Sequence, residues 1–411
     1  MKTISLFSSY GLGDLGLRSA GADIVLMAEL LEERCRHLRR NFPEAEVIPG
    51  CLEENWQGVV AAAESALRGH PLGLLVATPP CQGMSTNGAG KIARAVEKGE
   101  RPKLDPRNRL IVPALEIAKR LRPQWIVFEN VVQMKNTLIA AGEHGAVRKI
   151  TDIVAEELGA HGYTGGWAEV DFSRHGVPQD RQRLITVFGL GGPHDIASLL
   201  PPPQGDPVTL RQAIGHLETL DAKSKLSGRD PLHRVKRMND DHYWWVSNIG
   251  NPGGTAYDNQ CERCDWESPT KAGKQDETCP AYCGGCGALL PRPTAPVRKG
   301  ADRRRIIRGF RTAYKRMEWD RPAPTVTMNL MTPSSDNKLH PEQNRTLSPA
   351  EAAIIQTVSG LPGRYPGHAY DWGSSPSDRE LCDALGEAVP PLFFERLARR
   401  LSSIPYRTAT A

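Results

Sequence analysis

The sequence predicts an α/β protein with a doubly wound, Rossmann-like sheet, interrupted by a smaller Cys- and Arg-rich insert. Three observations carry this. Short apolar runs alternate with helical stretches over about the first 190 residues. The composition changes at Pro201-Pro202-Pro203, beyond which Gly, Pro, Cys and Arg dominate with little periodicity. Helical patterning then returns after about residue 320. Strands alternating with helices indicate a parallel sheet covered on both faces. The expected segments are therefore 1–200, an inserted domain 201–320, and a return segment 321–411 that completes the first.

The elements follow in order. Ile4-Ser5-Leu6-Phe7 reads as the first strand, and Asp14 to Ala20 as the start of a helix. Ile24 to Met27 is a second strand ending at Glu29, and Glu32 to Asn41 a second helix. Leu72 to Ala77 is a third strand closed by Thr78-Pro79-Pro80. Leu110 to Leu121 is helical, Trp125 to Phe128 a fourth strand, Ile150 to Leu158 a helix and Leu184 to Gly189 a late strand. Ser348 with Pro349 and Glu351 caps a helix running to Val358, and Pro391 to Leu401 is an amphipathic last helix.

The chain has 411 residues, with 39 glycines and 33 prolines, which suits many ordered turns rather than a helical bundle. No apolar run approaches the length of a membrane span, and the N-terminus reads as a strand rather than a signal peptide. A cytoplasmic monomer is expected. Net charge is only +5, yet eleven basic residues fall between Arg292 and Arg321, opposed by Asp302, Glu318 and Asp320. Such a local excess suits a phosphate backbone.

Chemistry concentrates at the strand ends. The loop Phe7-Ser8-Ser9-Tyr10-Gly11-Leu12-Gly13 follows the first strand, where a ligand can approach a helix N-terminus. Glu29 ends the second strand, at the usual distance for an acid that binds ribose hydroxyls. Thr78-Pro79-Pro80-Cys81-Gln82-Gly83-Met84-Ser85 places a thiol on a stiffened turn at the carboxyl edge of the sheet. Phe128-Glu129-Asn130-Val131 places a carboxyl at the same edge, and Gln179-Asp180-Arg181-Gln182-Arg183 offers two guanidinium groups.

This order of motifs resembles the DNA cytosine-C5 methyltransferase family, in particular its stand-alone prokaryotic members. Pro79-Pro80-Cys81-Gln82-x-x-Ser85 is similar to its nucleophile motif, Glu129-Asn130-Val131 to its acid motif, and Gln179-x-Arg181-x-Arg183 to its arginine motif. Asp105 to Leu110, Arg345 to Gln356, and Ala384 to Pro391 resemble three further motifs. The likeness covers residues 1 to 190 and about 320 to 400. It departs from the family pattern at Ser9 and Leu12 (for glycines), Cys51 (for Asp), Thr78 (for Gly) and Glu387 (for Asn).

The resemblance implies methyl transfer from S-adenosylmethionine to C5 of a flipped cytosine in double-stranded DNA, in a restriction-modification or phage-defence setting. It implies Cys81 as the thiolate that attacks C6, Glu129 as the acid at N3, Arg183 on the base O2, and Arg181 supporting the pocket and a phosphate. The cofactor would lie across Phe7, Tyr10, Gly11, Leu12 and Glu29, lined by Pro80 and Leu110 and covered by Val389. Flipping a base out of the stack costs a few kcal/mol. The Gly- and Lys/Arg-containing stretch Thr86 to Lys103 reads as a lid over it.

The insert would then be the target-recognition domain, since it lies between the arginine and late helix motifs; the long basic run favours duplex DNA over RNA. Cys261-x-x-Cys264 and Cys283-x-x-Cys286, eighteen residues apart, suit a structural zinc ribbon, with Cys279 as an alternative ligand.

Overall fold

The computed structural model describes residues 1–80, 106–141, 146–270, 279–307, 312–335 and 337–405. Its centre is a seven-stranded sheet: β1 (Lys2–Leu6), β2 (Asp23–Glu29), β3 (Glu46–Pro49), β4 (Leu74–Ala77), β5 (Trp125–Asn130), β6 (Tyr163–Asp171) and β7 (Gln182–Leu190). The order is β3-β2-β1-β4-β5-β7-β6. Strands β1 to β5 are parallel, whereas β7 runs antiparallel to both β5 and β6. The late strand therefore departs from the all-parallel expectation. The link from β6 to β7 carries a short 3-10 turn and the two-residue strand Gln179–Asp180 but no crossover helix, and parallel neighbours need a long crossover.

Side chains alternate cleanly between two cores. Leu74 and Val76 of β4, Trp125 and Val127 of β5, and Ile185 and Val187 of β7 face one core. Their neighbours Leu75, Ala77, Ile126, Phe128, Leu184 and Phe188 face the other. Burial on both faces is why these strands read as continuous apolar runs. Helices α1 (Leu12–Ser19), α2 (Glu32–Asn41), α3 (Leu52–Leu67), α4 (Ile111–Leu121) and α5 (Ile150–Gly159) connect the strands. The first core is completed by the return segment, through Leu347, Ile355, Leu385, Phe393 and Leu397. The last helix, Pro391–Ser402, lies so close to α1 that a Cβ at Gly16 would stand 1.9 Å from the Pro391 carbonyl oxygen.

Sequence patterning misses β3, α3 and β6 for identifiable reasons. The edge strand β3 has four residues and ends in proline, and α3 is alanine-rich and only weakly amphipathic. In β6 the Gly165-Gly166 pair hides the pattern, and a Cβ at Gly165 would stand 2.1 Å from the Val187 carbonyl oxygen.

The composition break at residue 201 precedes the change of core. Leu210, Ala213 and Ile214 pack into the main core, as do Met317 and Trp319 on the way out. Leu210 and Arg211 N–H groups donate to the Arg321 and Trp319 carbonyls, so entry and exit lie side by side. A separate small core forms from Ala222, Trp245, Val246, Tyr257, Cys279 and Tyr314, with Leu339 of the return segment added.

Candidate active site

The strand order reverses between β1 and β4, where doubly wound sheets bind their ligands. A cleft opens there, lined in part by Ser5, Ser9, Tyr10, Leu12, Asp14 and Thr78 from the sheet side and by Glu387 and Val389 from the return segment. The loop after β1 is tightly wound: Phe7 and Ser9 have φ of 58° and 50°, and Gly11 has 74°. Gly11 is fixed by packing as well, since a Cβ there would stand 2.6 Å from the Phe42 ring. Thr78 ties β4 to this loop by donating to the Phe7 carbonyl at 3.0 Å.

Glu29 is buried, and both its oxygens are used: the Ser9 N–H donates to one at 2.8 Å and the Leu31 N–H to the other at 3.1 Å. Its carboxylate thus braces the loop on which the ligand would lie. Tyr10 is buried under Arg34, whose guanidinium carbon sits 5.3 Å from the ring centroid, and burial pushes its phenol up to about 12. Asp14 is buried in the first turn of α1 with one carboxyl oxygen unpartnered, and desolvation raises its pKa to about 6. Among the described residues the lining holds two carboxyl side chains, Asp14 and Glu387, and the unpartnered buried oxygen of Asp14 fits a ligand that brings a positive charge, such as a sulfonium amino acid.

The second cluster stands at the ends of β5 and β7. Register pairs Glu129 with Ile185, and Arg183 lies two residues earlier on the same face. Arg183 Nε stands 3.0 Å from Glu129 Oε1, and both side chains are largely buried. Asn130 is also buried, and its amide donates to the Pro79 carbonyl at 2.9 Å. That bond fixes the turn that leads into Cys81. Cys81 itself, and the stretch Thr86 to Lys103 read as a lid, lie outside the described residues.

The expected residues thus divide. Tyr10, Leu12 and Val389 line the cleft, Glu29 supports its loop, and Glu129 meets Arg183. Phe7 packs against the core that holds α3 and α4. Leu110 caps α4 and Pro80 is half-buried; neither lines this cleft. Arg181 departs from expectation. It is buried and donates to the Val326 carbonyl at 3.0 Å and the Gly386 carbonyl at 3.4 Å. A guanidinium enclosed in this way joins the return segment to the sheet rather than reaching a phosphate. Ser5, Asp14, Thr78 and Arg34 were missed as site residues, because single Ser, Thr, Asp and Arg residues carry no periodic signal.

In the insert, the Sγ atoms of Cys261, Cys264, Cys283 and Cys286 lie within 4.8 Å of one another. Cys261–Cys286 and Cys264–Cys283 are separated by 3.6 Å and 3.5 Å. Thiolates on a tetrahedral zinc stand roughly 3.8 Å apart, so the set fits that ion. Cys279 is elsewhere: it is buried against the Tyr257 carbonyl and Arg292, which removes it as an alternative ligand. The basic run is also not one surface. Arg292 and Arg316 are buried and donate to backbone carbonyls, whereas Arg298, Lys299, Arg303 and Arg305 are exposed on a hairpin of Thr294–Pro296 and Arg304–Ile306. Arg308 and Arg311 lie outside the described residues.

A cleft at the sheet's switch point, beside an acid and an arginine at the neighbouring strand ends, is the ligand-binding arrangement of a doubly wound enzyme. The family model for C-5 cytosine-specific DNA methylases matches residues 1–403, and the chain belongs to that family. It is similar to the Type II methyltransferase M1.HgaI of Avibacterium volantium, with 26% identity over 97% of each chain. It is also similar to M.AgeI of Thalassovita gelatinovora, with 27% identity over 98% of this chain and 99% of the relative. Among solved structures, a DNA modification methyltransferase encoded within an Escherichia coli prophage shares the fold, with a TM-score of 0.54, 18% identity and 98% coverage of both chains. A Dnmt2 mutant from Spodoptera frugiperda does so with a TM-score of 0.54, 14% identity, and coverage of 98% and 99%.

Proposed function

We propose that this cytosine-C5 DNA methyltransferase works on duplex DNA through a covalent bond between Cys81 and cytosine C6. The Glu129–Arg183 pair at 3.0 Å, beside the Asn130 tether to Pro79, is the observation that carries the reading. The thiolate of Cys81 adds to C6 and converts the C4–C5 edge into an enamine. Glu129, after taking up a proton on its oxygen that does not face Arg183, donates a hydrogen bond to N3, where electron density builds during attack. Arg183, committed to Glu129 through Nε and to the Gln182 carbonyl through Nη1, orients that carboxyl and reaches the base O2 with Nη2. Bound S-adenosylmethionine supplies the electrophilic methyl group. Transfer of the C5 proton to a solvent base and β-elimination, which returns the C6–S electron pair to sulfur, then free the thiolate.

Tyr10, Leu12 and Val389 hold the cofactor by enclosing its cleft, and Glu29 holds it by fixing the loop. In this reading residues 201–320 form the target-recognition domain, and zinc on Cys261, Cys264, Cys283 and Cys286 keeps its loops folded. The exposed basic hairpin supports contact with DNA phosphates. The names of the relatives, Type II methyltransferases, support a place in a restriction-modification system. None of the helices among the described residues is long and apolar enough to cross a membrane. Bisulfite sequencing of DNA from cells producing the wild type and Cys81→Ser tests the core claim: site-specific protection is expected with the first and none with the second. Protection retained by Cys81→Ser rules out the covalent route.

A further inference from the structure

Two of the departures from the family pattern, Ser9 and Glu387, lie 378 residues apart in sequence and touch in the fold. The Ser9 hydroxyl donates to Glu387 Oε2 at 3.0 Å. Both then meet one guanidinium. Arg34 Nη2 donates to Glu387 Oε1 at 3.0 Å, and Nη1 stands 2.8 Å from Oε2. Nη1 also donates to the Ser9 hydroxyl at 3.3 Å and stands 3.9 Å from Glu29 Oε1. The same guanidinium lies over Tyr10. One cation thus gathers two carboxylates, a hydroxyl and an aromatic face, across the line where the return segment meets the cofactor loop.

This arrangement is not needed to hold the return segment, which is already fixed by Arg181, by Gln356 bonded to Gln179, and by the helix contact at Gly16. Ser9, Tyr10 and Glu387 all line the cleft. We propose that Arg34, Ser9 and Glu387 form an ionic latch that pins the closing segment over the cofactor cleft, and that these three positioning residues together set cofactor affinity. The proposal rests on the cleft being the cofactor site. The substitutions at positions 9 and 387 are then one coupled change, in which Glu387 is serviceable because Arg34 and Ser9 receive it.

The latch ion pair is partly exposed, at 17% for Arg34 and 26% for Glu387, so salt screens it. S-adenosylhomocysteine carries no net charge, so its own binding has little intrinsic salt dependence. Calorimetric titration of the metal-loaded full chain with S-adenosylhomocysteine, at low and high salt, tests the latch. Arg34→Ala, Glu387→Gln and Ser9→Ala are each expected to weaken binding roughly three- to tenfold. The Arg34→Ala/Glu387→Gln double variant should be no weaker than the poorer single variant, because the two act as a unit. High salt should bring the wild type towards Arg34→Ala and Glu387→Gln and leave those two unchanged, Ser9→Ala should keep its salt dependence because the ion pair remains, and Arg34→Lys should recover part of the loss. A purely structural role would lower the urea midpoint of the free protein while leaving affinity and its salt dependence alone. Equal or tighter binding in the variants, or losses that add, overturns the latch. A wild type that binds no S-adenosylhomocysteine overturns the cofactor assignment with it.

Discussion

Asp14 shows how much a single side chain can cost. Its carboxyl is buried, one oxygen is unpartnered, and desolvation raises its pKa from 3.8 to about 6 despite help from Ser5. The folded protein therefore binds this proton more tightly than the unfolded chain does. The stability tied to the neutral acid is complete below pH 3.8 and is lost as pH rises to about 6. Asp14→Asn should thus leave stability nearly unchanged at pH 4 and raise it by up to roughly 3 kcal/mol at pH 8, as read by urea unfolding of the cofactor-free protein. No gain at pH 8 would show that the carboxylate has a partner in solution. Glu129 is the second informative residue. Glu129→Gln keeps the shape but removes the acid and the charge facing Arg183. We expect a loss of about 100-fold or more in turnover of a duplex substrate, with S-adenosylhomocysteine affinity unchanged. Glu129 and Arg183 were both legible in the sequence, because each stands at the end of an apolar strand. Asp14 was not, since an acid in the first turn of a helix is ordinary helix chemistry.

At the scale of elements, the return segment is held by a few buried polar devices. The helix Pro349–Ile355 opens with a capping box between Ser348 and Glu351. Glu351 also accepts from Arg345 through both oxygens at 2.7 Å, with both residues fully buried. Burial alone would raise the acid, but the Arg345 guanidinium prevails and holds it down to about 2. This stability is present above pH 4.5 and is lost as pH falls towards 2. Arg345→Met leaves a buried carboxylate unpaired and should cost about 3–5 kcal/mol near neutrality, measured by urea unfolding. Gly16 is the apolar counterpart. A methyl group there meets the rigid backbone of Pro391 and Glu395. Gly16→Ala should cost roughly 1–3 kcal/mol and displace the last helix, visible as a lower melting temperature and weaker S-adenosylhomocysteine binding. The capping box was readable from Ser348 and Glu351 alone, whereas Arg345 closing on the same acid follows from a loop path that no local pattern encodes.

Across the whole molecule, the sheet and the insert answer to different supports. The sheet has apolar layers on both faces, while the insert has a small core of its own beside four clustered thiols. Removal of zinc should therefore divide the functions. Elemental analysis should find about one zinc per chain. Strong chelation should abolish duplex binding and leave S-adenosylhomocysteine binding intact. A chelated protein that still binds duplex would remove the metal from the recognition role.

The sequence by itself determined the strands that end in chemistry, because a buried parallel strand must be apolar and a polar residue at its carboxyl end has only the cleft to serve. It also determined the cluster of four thiols, since two Cys-x-x-Cys pairs need little more than a turn each to converge. Only the tertiary structure decided which of the many arginines do surface work and which are internal. Arg181, Arg292 and Arg316 are buried among carbonyls, while Arg298 and Arg303 stay in water. A guanidinium's partner is set by where distant backbone passes, and that depends on the closing of the whole chain. The meeting of Ser9, Arg34 and Glu387 has the same origin: each is unremarkable in its own segment, and they become one group only when the last helices fold back onto the first strand.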